Sequence, residues 1–506
     1  MREEVARSLK LNRDLSKMLQ QGIELDRPIK IGWTRDGEPI PKQGEIGLAP
    51  GLPDRGRVRL LGDLGPMTAI LCHEGSFALE GGAGDFYGAW NDGGQHVVER
   101  RCGDHAGHAM RAGRITIRDG CGDYAGSSMS GGLLLIRGDA GPNLGAGMGE
   151  GTIVVNGDVG KSVGTRMTGG RILVSGRCPA PGEGARLGKL SAKERQRLNK
   201  QIDDSTLQIS ADVVCILNDD EAHIGIDAPV KDDIGDWSTI SIVPEDGVNR
   251  LTRGAPLDTL LVLGGVEVEV LEEAVPALGL DFPLIIRGGE PSDNSRIVDS
   301  DPSGHDILHI DSKNLNQVVS TLADAAGLML DLRHLPPMDS ATLDGFIVAL
   351  RALRGDLAPV LLLDSVSRVE NLHRTAKNHP IQGVVVELCD ASGLPAAASL
   401  PRIGRSLLAS GLDPQVCPTF ISIPWAATAT DILVARGCGA SGLVSPPIED
   451  RAALGDQLRW WLEELGIDSI EKIERKHLRA NDEATANLSG LRLAGYERAL
   501  PMWFSQ

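Results

Sequence analysis

The chain has 506 residues, of which 63 are glycine, and its formal net charge at neutral pH is −18. This length exceeds what one hydrophobic core usually organises, so we expect two or three domains. The negative charge argues against a nucleic-acid or anionic-membrane partner, since both require a basic surface. No apolar run reaches the roughly 18 residues of a membrane span, and residues 1–30 lack a signal-peptide core, which predicts a cytoplasmic protein.

Residues 1–60 are predicted to form an N-terminal helix followed by a capping segment. Apolar residues recur at helical spacing over residues 1–19, which predicts an amphipathic helix that ends near Gly22 and docks on a neighbouring element. Gly56, Val58 and Leu60 indicate one irregular coil ahead of the regular repeat.

Residues 61–180 repeat with a step of 19 residues. Three sets of glycines, named below, recur with this step. The second set lacks a glycine only at position 69, where Ala69 stands. Apolar pairs such as Ile115/Ile117 and Leu134/Ile136 share the step. The glycine sets are Gly65, Gly84, Gly103, Gly122, Gly141 and Gly160; Gly88, Gly107, Gly126, Gly145 and Gly164; and Gly75, Gly94, Gly113, Gly132, Gly151 and Gly170. The methionines in phase are Met110, Met129, Met148 and Met167.

A repeat of about this length is typical of a solenoid, in which each coil buries its apolar face against the next. We expect a β-helix whose strands stack at roughly 4.8 Å, with glycine at the corners because it adopts positive φ readily. Cys102 and Cys121 should stack in adjacent coils, either as reduced, packed thiols or as a disulfide or redox pair. We expect His96, His105 and His108 at the surface.

The repeat carries a resemblance to a known family. Residues 84–88 (GDFYG), 122–126 (GDYAG) and 160–164 (GKSVG) resemble the GXGXG repeats of the last domain of glutamate synthase and of the formylmethanofuran dehydrogenase subunit that has the same repeat. The resemblance covers about a third of the chain and implies a right-handed single-stranded β-helix. It says little about activity, because this domain is chiefly a structural column in both families.

After the repeat the sequence changes character. Residues 178–184 (CPAPGEG) have the composition of a linker, and a charged helical connector follows, so residues 181–210 are predicted to join two domains. Residues 211–506 alternate short apolar strands with amphipathic helices, which favours a (β/α)8 TIM-like barrel with a helical tail. The predicted strands are 213–217, 282–286, 328–332, 359–363, 383–387, 420–423 and 441–444, and the predicted helices are 340–353, 366–378, 396–409, 429–436 and 448–465.

The barrel half resembles the FMN-binding barrel domain of glutamate synthase over residues 325–498. The resemblance rests on residues 340–344 (SATLD), 391–395 (ASGLP), 465–470 (LGIDSI), 477–479 (HLR) and 488–491 (LSGL). It is strengthened by the presence of both domains in one chain. Position 2 is Arg2 rather than cysteine, so the glutaminase domain of whole glutamate synthases is not expected here, and glutamine hydrolysis would need another polypeptide.

The resemblance also implies chemistry whose residues are replaced in this chain. In the resembling family a strand carries a lysine, but residues 361–364 read LLLD in this chain. The family's glycine-rich loop is replaced by residues 390–393 (DASG). Its phosphate-binding segment is replaced by residues 422–428 (SIPWAAT). Cys438 is the one cysteine near the region in which the family binds an iron–sulfur cluster, and one thiolate cannot hold such a cluster. We therefore expect neither tightly bound FMN nor an iron–sulfur cluster, and no catalytic residues.

A pocket at the carboxyl ends of the barrel strands remains open as a ligand site. Loop 288–293 (GGEPSD) is interpreted either as a ligand loop or as an ordinary turn. Residues 301–311 (DPSGHDILHID) are interpreted as a metal site if they are helical, and otherwise as a loop and a strand. The candidate mouth residues are Gly288, Gly289, Arg333, Asp364, Glu387, Ser392, Gly393, Trp425 and Cys438.

Three functions follow from these observations. The first is a glutamate synthase-like pseudoenzyme subunit of nitrogen metabolism that organises an oligomeric complex with glutaminase, flavin or one-carbon enzyme subunits. The second is an active FMN-dependent enzyme of the glutamate synthase type. The third is a small-molecule site in the barrel mouth that works without flavin.

Overall fold

In a computed structural model of the chain, the described residues are 3–32, 44–202, 204–219, 240–242, 284–289, 296–355, 359–379, 381–388, 396–467 and 469–494. The helices are α1 (Glu3–Glu24), α2 (Ala192–Gln201), α3 (Leu315–Val318), α4 (Ser340–Arg354), α5 (Val369–Asn378), α6 (Ala396–Ser410), α7 (Ala429–Gly437), α8 (Arg451–Leu465) and α9 (Glu483–Ser489). The strands are β1 (Ile29–Ile31), β2 (Arg57–Leu61), β3 (Ser76–Glu80), β4 (Gln95–Val98), β5 (Arg114–Ile117), β6 (Ser130–Ile136), β7 (Glu150–Val155), β8 (Arg171–Val174), β9 (Ala185–Gly188), β10 (Val214–Asn218), β11 (Ile240–Ile242), β12 (Leu284–Arg287), β13 (Arg296–Val298), β14 (Ile307–Ile310), β15 (Gly327–Asp331), β16 (Val360–Ser365), β17 (Gly383–Glu387), β18 (Thr419–Ser422), β19 (Gly442–Ser445), β20 (Leu478–Ala480) and β21 (Arg492–Leu493).

The chain divides into two compact units. The first comprises Met1–Asp227 together with Met338–Leu357, and the second comprises Ala228–Pro337 and Ala358–Gln506. Helix α4 follows the barrel strand β15 in sequence, yet it belongs to the first unit. No described helix in either unit has the length and hydropathy needed to cross a lipid bilayer.

The first unit contains a ten-stranded sheet in the order β1 to β8, then β10, then β9. Strands β1 to β8 pair in parallel, and the register follows the repeat, with Ile115 opposite Leu134, Leu134 opposite Ile153 and Ile153 opposite Ile172. The four in-phase methionines and the apolar pairs of β5 to β8 are fully or almost fully buried in one core. The period of the sequence therefore predicts the register of the sheet.

The three glycine sets have different structural roles. The second and third sets adopt positive φ, for example 68° at Gly107 and 85° at Gly113, as expected for corners. The first set does not. A Cβ on Gly122 would lie 1.9 Å from the carboxylate oxygen of Asp104 in the preceding copy of the repeat, so this set is required by close approach.

Non-glycine residues also take positive φ at each copy, among them Phe86, His105 and Tyr124. Their rings stack in sequence, with centroids 4.5 Å apart between Phe86 and His105 and 4.9 Å apart between His105 and Tyr124. The stacked residues thus all have a positive φ, a backbone conformation that normally costs about 1 kcal/mol or more for a residue with a Cβ.

The expected surface position of the repeat histidines is wrong for two of them. His96 lies one repeat step before Ile115 and is its partner across β4 and β5, so it is buried at the same position of the repeat. This burial lowers the pKa of His96 to about 4. His108 is buried beside Trp90, and its Nδ1 lies 2.8 Å from Ser127 Oγ; burial, followed by the nearby His105, lowers its pKa to about 3. Cys102 and Cys121 are buried free thiols.

Helix α1 is longer than predicted and includes Gly22. It docks within the first unit, as expected, because Ser8 Oγ accepts a hydrogen bond from Ile46 N–H and Asn12 bonds Gly47 O and Ala49 N. Helix α2 and the short 3₁₀ turn Ser205–Leu207 cover the outer face of the sheet, where Leu135, Val154 and Leu173 pack against Ile202 and Leu207.

The second unit contains a closed barrel of eight parallel strands, β12 to β19, in which β12 pairs with β19. This confirms the predicted TIM-like barrel. Strand 383–387 has the predicted bounds, and most of the other predicted strands and helices agree within about two residues. The barrel interior is filled by apolar side chains, among them Ile285, Met329, Leu363, Val385 and Phe420.

One predicted barrel strand belongs elsewhere. Residues 213–217 are predicted in the barrel half, but β10 pairs antiparallel with β8 and β9 in the large sheet of the first unit. An apolar run indicates a buried strand without indicating which sheet it joins. The structure supplies β13 and β14 to the barrel instead, and β14 confirms the loop-and-strand interpretation of residues 301–311.

Candidate functional site

Charged side chains gather at the carboxyl ends of the barrel strands. Arg287, Asp331 and Glu387 are the last residues of β12, β15 and β17, and Asp364 is next to last in β16. Parallel strands place these ends at one rim of a barrel, where the active sites of this architecture lie. We call the following group the mouth cluster: Arg287, His309, Asp331, Arg333, His334, Asp364 and Glu387.

Asp331 is the most heavily bonded member of the mouth cluster. Arg333 binds both of its carboxylate oxygens, with Nε 2.9 Å from Oδ1 and Nη2 2.7 Å from Oδ2. His309 Nε2 lies 3.2 Å and His334 Nδ1 3.0 Å from Oδ2. Burial alone would raise the pKa of Asp331, but the hydrogen bonds from Arg333 and His309 and the charge of Arg333 hold it well below its usual range. Asp331 is therefore a fixed anion.

Glu387 and Asp364 have the opposite character. Glu387 lies 3.5 Å from Arg287 Nη1 and 3.6 Å from Arg333 Nη1, yet burial raises its pKa above the usual value despite both arginines. Burial likewise raises the pKa of Asp364, whose Oδ1 accepts a hydrogen bond from Ser365 N–H at 2.7 Å. A carboxyl with a raised pKa can exchange a proton closer to neutral pH, which is a property of general acids and bases.

His309 links the mouth cluster to the end of β13. Its Nδ1 lies 2.7 Å from Asp299 Oδ1, while its Nε2 contacts Asp331. Burial would lower the pKa of His309, but the hydrogen bonds with Asp331 and Asp299 raise it overall. A histidine held between two carboxylates has a fixed orientation.

The structure brings together three of the predicted mouth residues: Arg333, Asp364 and Glu387. Gly288 and Gly289 follow β12 with φ of 73° and 86°, and Gly289 O accepts a hydrogen bond from Arg296. Trp425 is half-buried after β18, while Ser392 and Gly393 lie outside the described residues.

Cys438 does not belong to the mouth. It follows helix α7 and precedes the amino end of β19, and its amide bonds to Val434 O and Ala435 O. Because the amino ends of the strands form the opposite rim, the thiol is remote from the mouth cluster along the strands. Burial raises its pKa strongly, with Arg475 opposing.

Sequence reasoning missed Arg287, His309 and Asp331 as partners. Arg287 and Asp331 each end an apolar strand with a charge, and this pattern could have identified them. His309 gave no such signal, because its contact with Asp331 depends on β14 and β15 being neighbours.

A cavity of about 360 Å³ opens at the amino ends of the strands, lined by apolar residues such as Ile285, Ile307, Leu361 and Phe420. It lies at the rim opposite the mouth cluster, so we assign the polar chemistry to the mouth cluster. Among the described residues, no group of three or more His, Cys, Asp or Glu side chains has an arrangement that could hold a metal ion.

No protein-family model matches this chain. No curated protein matches it significantly either.

Proposed function

We propose that the chain is a glutamate synthase-like subunit of amino-group metabolism in which the barrel organises a multi-subunit complex and carries no flavin. Its partners would be glutaminase, flavin or one-carbon enzyme subunits in the cytoplasm. Within this proposal, residues 61–180 form a right-handed single-stranded β-helix of the GXGXG kind.

The β-helix is supported by contacts that repeat with the sequence. Parallel strand pairs and isolated parallel bridges such as Ala83 with Cys102 and Cys121 with Ala140 both advance by 19 residues, so two separate lines of each copy stack on the next. A chain that coils would give this pattern, because every part of one coil meets the same part of its neighbour.

The organising role is carried by one observation: the arginines of the mouth cluster are paired with carboxylates of the chain itself. Arg333 is bound by Asp331, and Arg287 lies against Glu387, so the charges of both arginines are already partly neutralised in the absence of a ligand. Asp364, at the strand position where the resembling family has lysine, is a buried carboxyl that would oppose the negative charge of a reduced flavin.

The residues expected at the phosphate end of a flavin are equally unsuitable. Residues 422–428 contain no glycine, and Pro424 has no N–H to donate to a phosphate oxygen. The mouth cluster and this segment therefore do not fit FMN.

Absorbance of the purified full-length protein tests the first half of the proposal. We expect no band near 450 nm and far less than one FMN per chain after heat release. Stoichiometric FMN would overturn the proposal in favour of an active flavoenzyme.

Purification of the chain from cells that express it at its natural level tests the second half of the proposal, which is the organising role in a complex. We expect a complex of defined stoichiometry that contains a glutaminase or a flavin subunit identified by mass spectrometry. A chain that is isolated alone, and that by itself converts glutamine and 2-oxoglutarate to glutamate, would contradict the organising role.

A second candidate is a flavin-free small-molecule site at the mouth. It is favoured by Glu387, a carboxyl with a raised pKa that lies 3.5 Å from Arg287, an arginine that is 37% exposed at the rim. Asp364, whose pKa is also raised, is next to last in the neighbouring strand β16. Thermal-shift measurements with 2-oxoglutarate and glutamate would test it. Stabilisation that is lost in Arg287→Gln and kept in Arg374→Gln, an exposed change on α5, would support this site, and no stabilisation would exclude it for these ligands.

A further inference from the structure

The apolar cavity at the amino ends of the barrel strands, which we call the barrel-end cavity, has the size of a ligand site. Its volume is about 360 Å³, and sites for small molecules measure roughly 300–1,000 Å³. Among the described residues that line it, none is Asp, Glu, Lys or Arg, and the polar side chains are His305 and Gln382. The barrel-end cavity therefore differs from the mouth cluster in chemistry as well as in position.

The order of the inward-facing side chains explains why this cavity exists. The interior of a closed eight-stranded barrel is filled in layers, and each layer takes one residue from every second strand. One such layer comes from β12, β14, β16 and β18 and consists of Ile285, Ile307, Leu361 and Phe420. All four of these side chains line the barrel-end cavity. The intervening strands contribute other residues to the barrel core, namely Ile297, Met329, Val385 and Val444.

The intervening strands leave space at their amino ends. Residues two positions apart in a strand face the same side of the sheet, so the residues two before these core residues also face the interior. In β13 that residue is number 295, which lies outside the described residues. In β15, β17 and β19 it is glycine, at Gly327, Gly383 and Gly442. These glycines pair in turn with three members of the first layer, Ile307, Leu361 and Phe420. Three side chains are therefore missing beside that layer.

The entrance of the barrel-end cavity lies at the rim and is partly polar. Gly304 lines it, and a Cβ on Gly304 would meet no heavy atom of the described residues within 4 Å. His305 is exposed, and Gln382 Oε1 accepts a hydrogen bond from Val360 N–H at 2.8 Å. Because both polar side chains precede the strands, a bound molecule can keep a polar end at the rim while its apolar part lies deeper.

The physical properties of the deeper wall favour an apolar occupant. An empty apolar cavity costs stability in proportion to its volume, and an apolar group that fills it recovers part of that cost. An ordered water needs two to four polar partners, whereas the deeper wall consists of Ile285, Ile307, Leu361 and Phe420. An apolar cavity of about 150 Å³ is large enough to bind benzene. The barrel-end cavity can therefore take a larger apolar group.

We propose that the barrel-end cavity binds an unbranched alkyl or acyl chain with an uncharged polar end. The chain would lie over Ile307, Leu361 and Phe420, with the polar end at His305. A slender chain can follow the cavity from the rim to the first layer without displacing the packed side chains beyond it. The described lining offers no charged partner to an ionised group, which would be costly to bury there. This site lies at the rim opposite the mouth cluster and does not depend on the function proposed for the barrel.

Titration calorimetry of the full-length protein with 1-alkanols, from 1-butanol to 1-decanol, tests the site. We expect saturable binding whose affinity rises about fourfold per added methylene, which corresponds to about 0.8 kcal/mol per buried CH₂. The rise should stop once the chain is longer than the cavity. Octanoate should bind at least about tenfold more weakly than 1-octanol, because its charge has no partner in the lining.

A substitution that fills the cavity provides a second measurement. Ala326→Phe should weaken the binding of 1-octanol at least about tenfold, because Ala326 lines the cavity. Ala323→Phe is the matched control, since Ala323 is exposed in the 3₁₀ turn Leu322–Asp324 and does not line the cavity. Binding should be unchanged in this control. Melting curves check that both variants are folded, and the dependence on chain length decides the question without them.

Several results would overturn the proposal. One is that no alkanol binds saturably, as expected if another part of the chain fills the cavity. Another is that affinity rises with chain length without a plateau, as on a nonspecific surface. Tighter binding of octanoate than of 1-octanol, undiminished binding in a folded Ala326→Phe variant, or equal weakening in the Ala323→Phe control would also contradict it.

Discussion

Asp104 Oδ1 accepts a hydrogen bond from the backbone N–H of Asp123 at 2.8 Å, one repeat step further along the chain. The same bond joins Asp85 to Asp104, Asp139 to Asp158 and Asp158 to Arg177. Aspartates at two phases thus tie several copies of the repeat to the next. This bond supplements the strand pairing, because it lies outside the strands.

Removal of this bond should destabilise the first unit. We expect Asp104→Ala to lower the free energy of unfolding by about 1 kcal/mol, the usual value of one hydrogen bond. Asp123→Ala is the control, because the residue one step later is Pro142, which has no N–H to donate. Urea unfolding followed by circular dichroism measures both, and equal losses would contradict the role given to the aspartates.

The two kinds of glycine should respond differently to alanine. Gly122→Ala places a Cβ 1.9 Å from Asp104 Oδ1 and 2.9 Å from Asp104 N, so we expect a loss of more than about 2 kcal/mol. Gly107 has a φ of 68° and ordinary contacts of 3.6 Å, so Gly107→Ala should cost only the backbone term of about 1–2 kcal/mol. The same unfolding assay compares them, and the reverse order would refute the distinction.

His309 should make the barrel more stable at mildly acidic pH. Its pKa is raised in the folded state, so the folded protein binds the proton more tightly than the unfolded chain. This contribution is fully present below the unfolded pKa of about 6.5 and is lost as pH rises through the higher folded pKa. We expect His309→Gln to remove this part of the pH dependence of the urea midpoint. An unchanged profile would show that the histidine is not held between carboxylates.

His373 should give the opposite dependence in the same unit. Burial lowers its pKa to about 4, and its neutral ring lies 2.7 Å from Ser406 Oγ and 3.3 Å from Thr419 Oγ1. The unfolded chain then takes up the proton first, so stability is lost as pH falls from about 6.5 toward 4. In His373→Gln this acid-side loss should shrink. Proton resonances of the two imidazoles, followed through the titration, provide a direct check.

The cysteines of the repeat should resist alkylation. Burial raises the pKa of Cys121 to about 12, with Arg101 opposing, and the pKa of Cys102 well above its usual value, while Cys178 is half-buried. At pH 8 we expect iodoacetamide to modify Cys178 at least about a hundredfold faster than Cys102 or Cys121, since the thiolate is the reactive form. Peptide mapping measures the rates, and a disulfide between Cys102 and Cys121 would appear as a pair that reacts only after reduction.

The sequence predicts more of the fold than of the site. Repetition places Ile115 beside Leu134 without any knowledge of the structure, because register and period are the same quantity in a stacked sheet. The barrel follows from apolar strands between helices, and Arg333, Asp364 and Glu387 follow from their places at strand ends. The contact of His309 with Asp331 could not be predicted, because it joins residues 22 positions apart with no shared period. The close approach of Asp104 to Gly122 could not be predicted for another reason: a glycine that makes room for a neighbour looks the same in sequence as a glycine that turns the backbone.

Helix α4 has a consequence for how the chain is made. Its residues leave the ribosome after β15, yet Val348 packs with Val5 and Ile46, and Phe346 lies against Trp90, all within the first unit. That unit therefore cannot complete its packing until residue 357 has been synthesised, when several barrel strands already exist. A fragment truncated near residue 227 would be released with those surfaces uncovered. Co-expression of residues 338–357 as a separate peptide is the natural way to supply what such a fragment lacks.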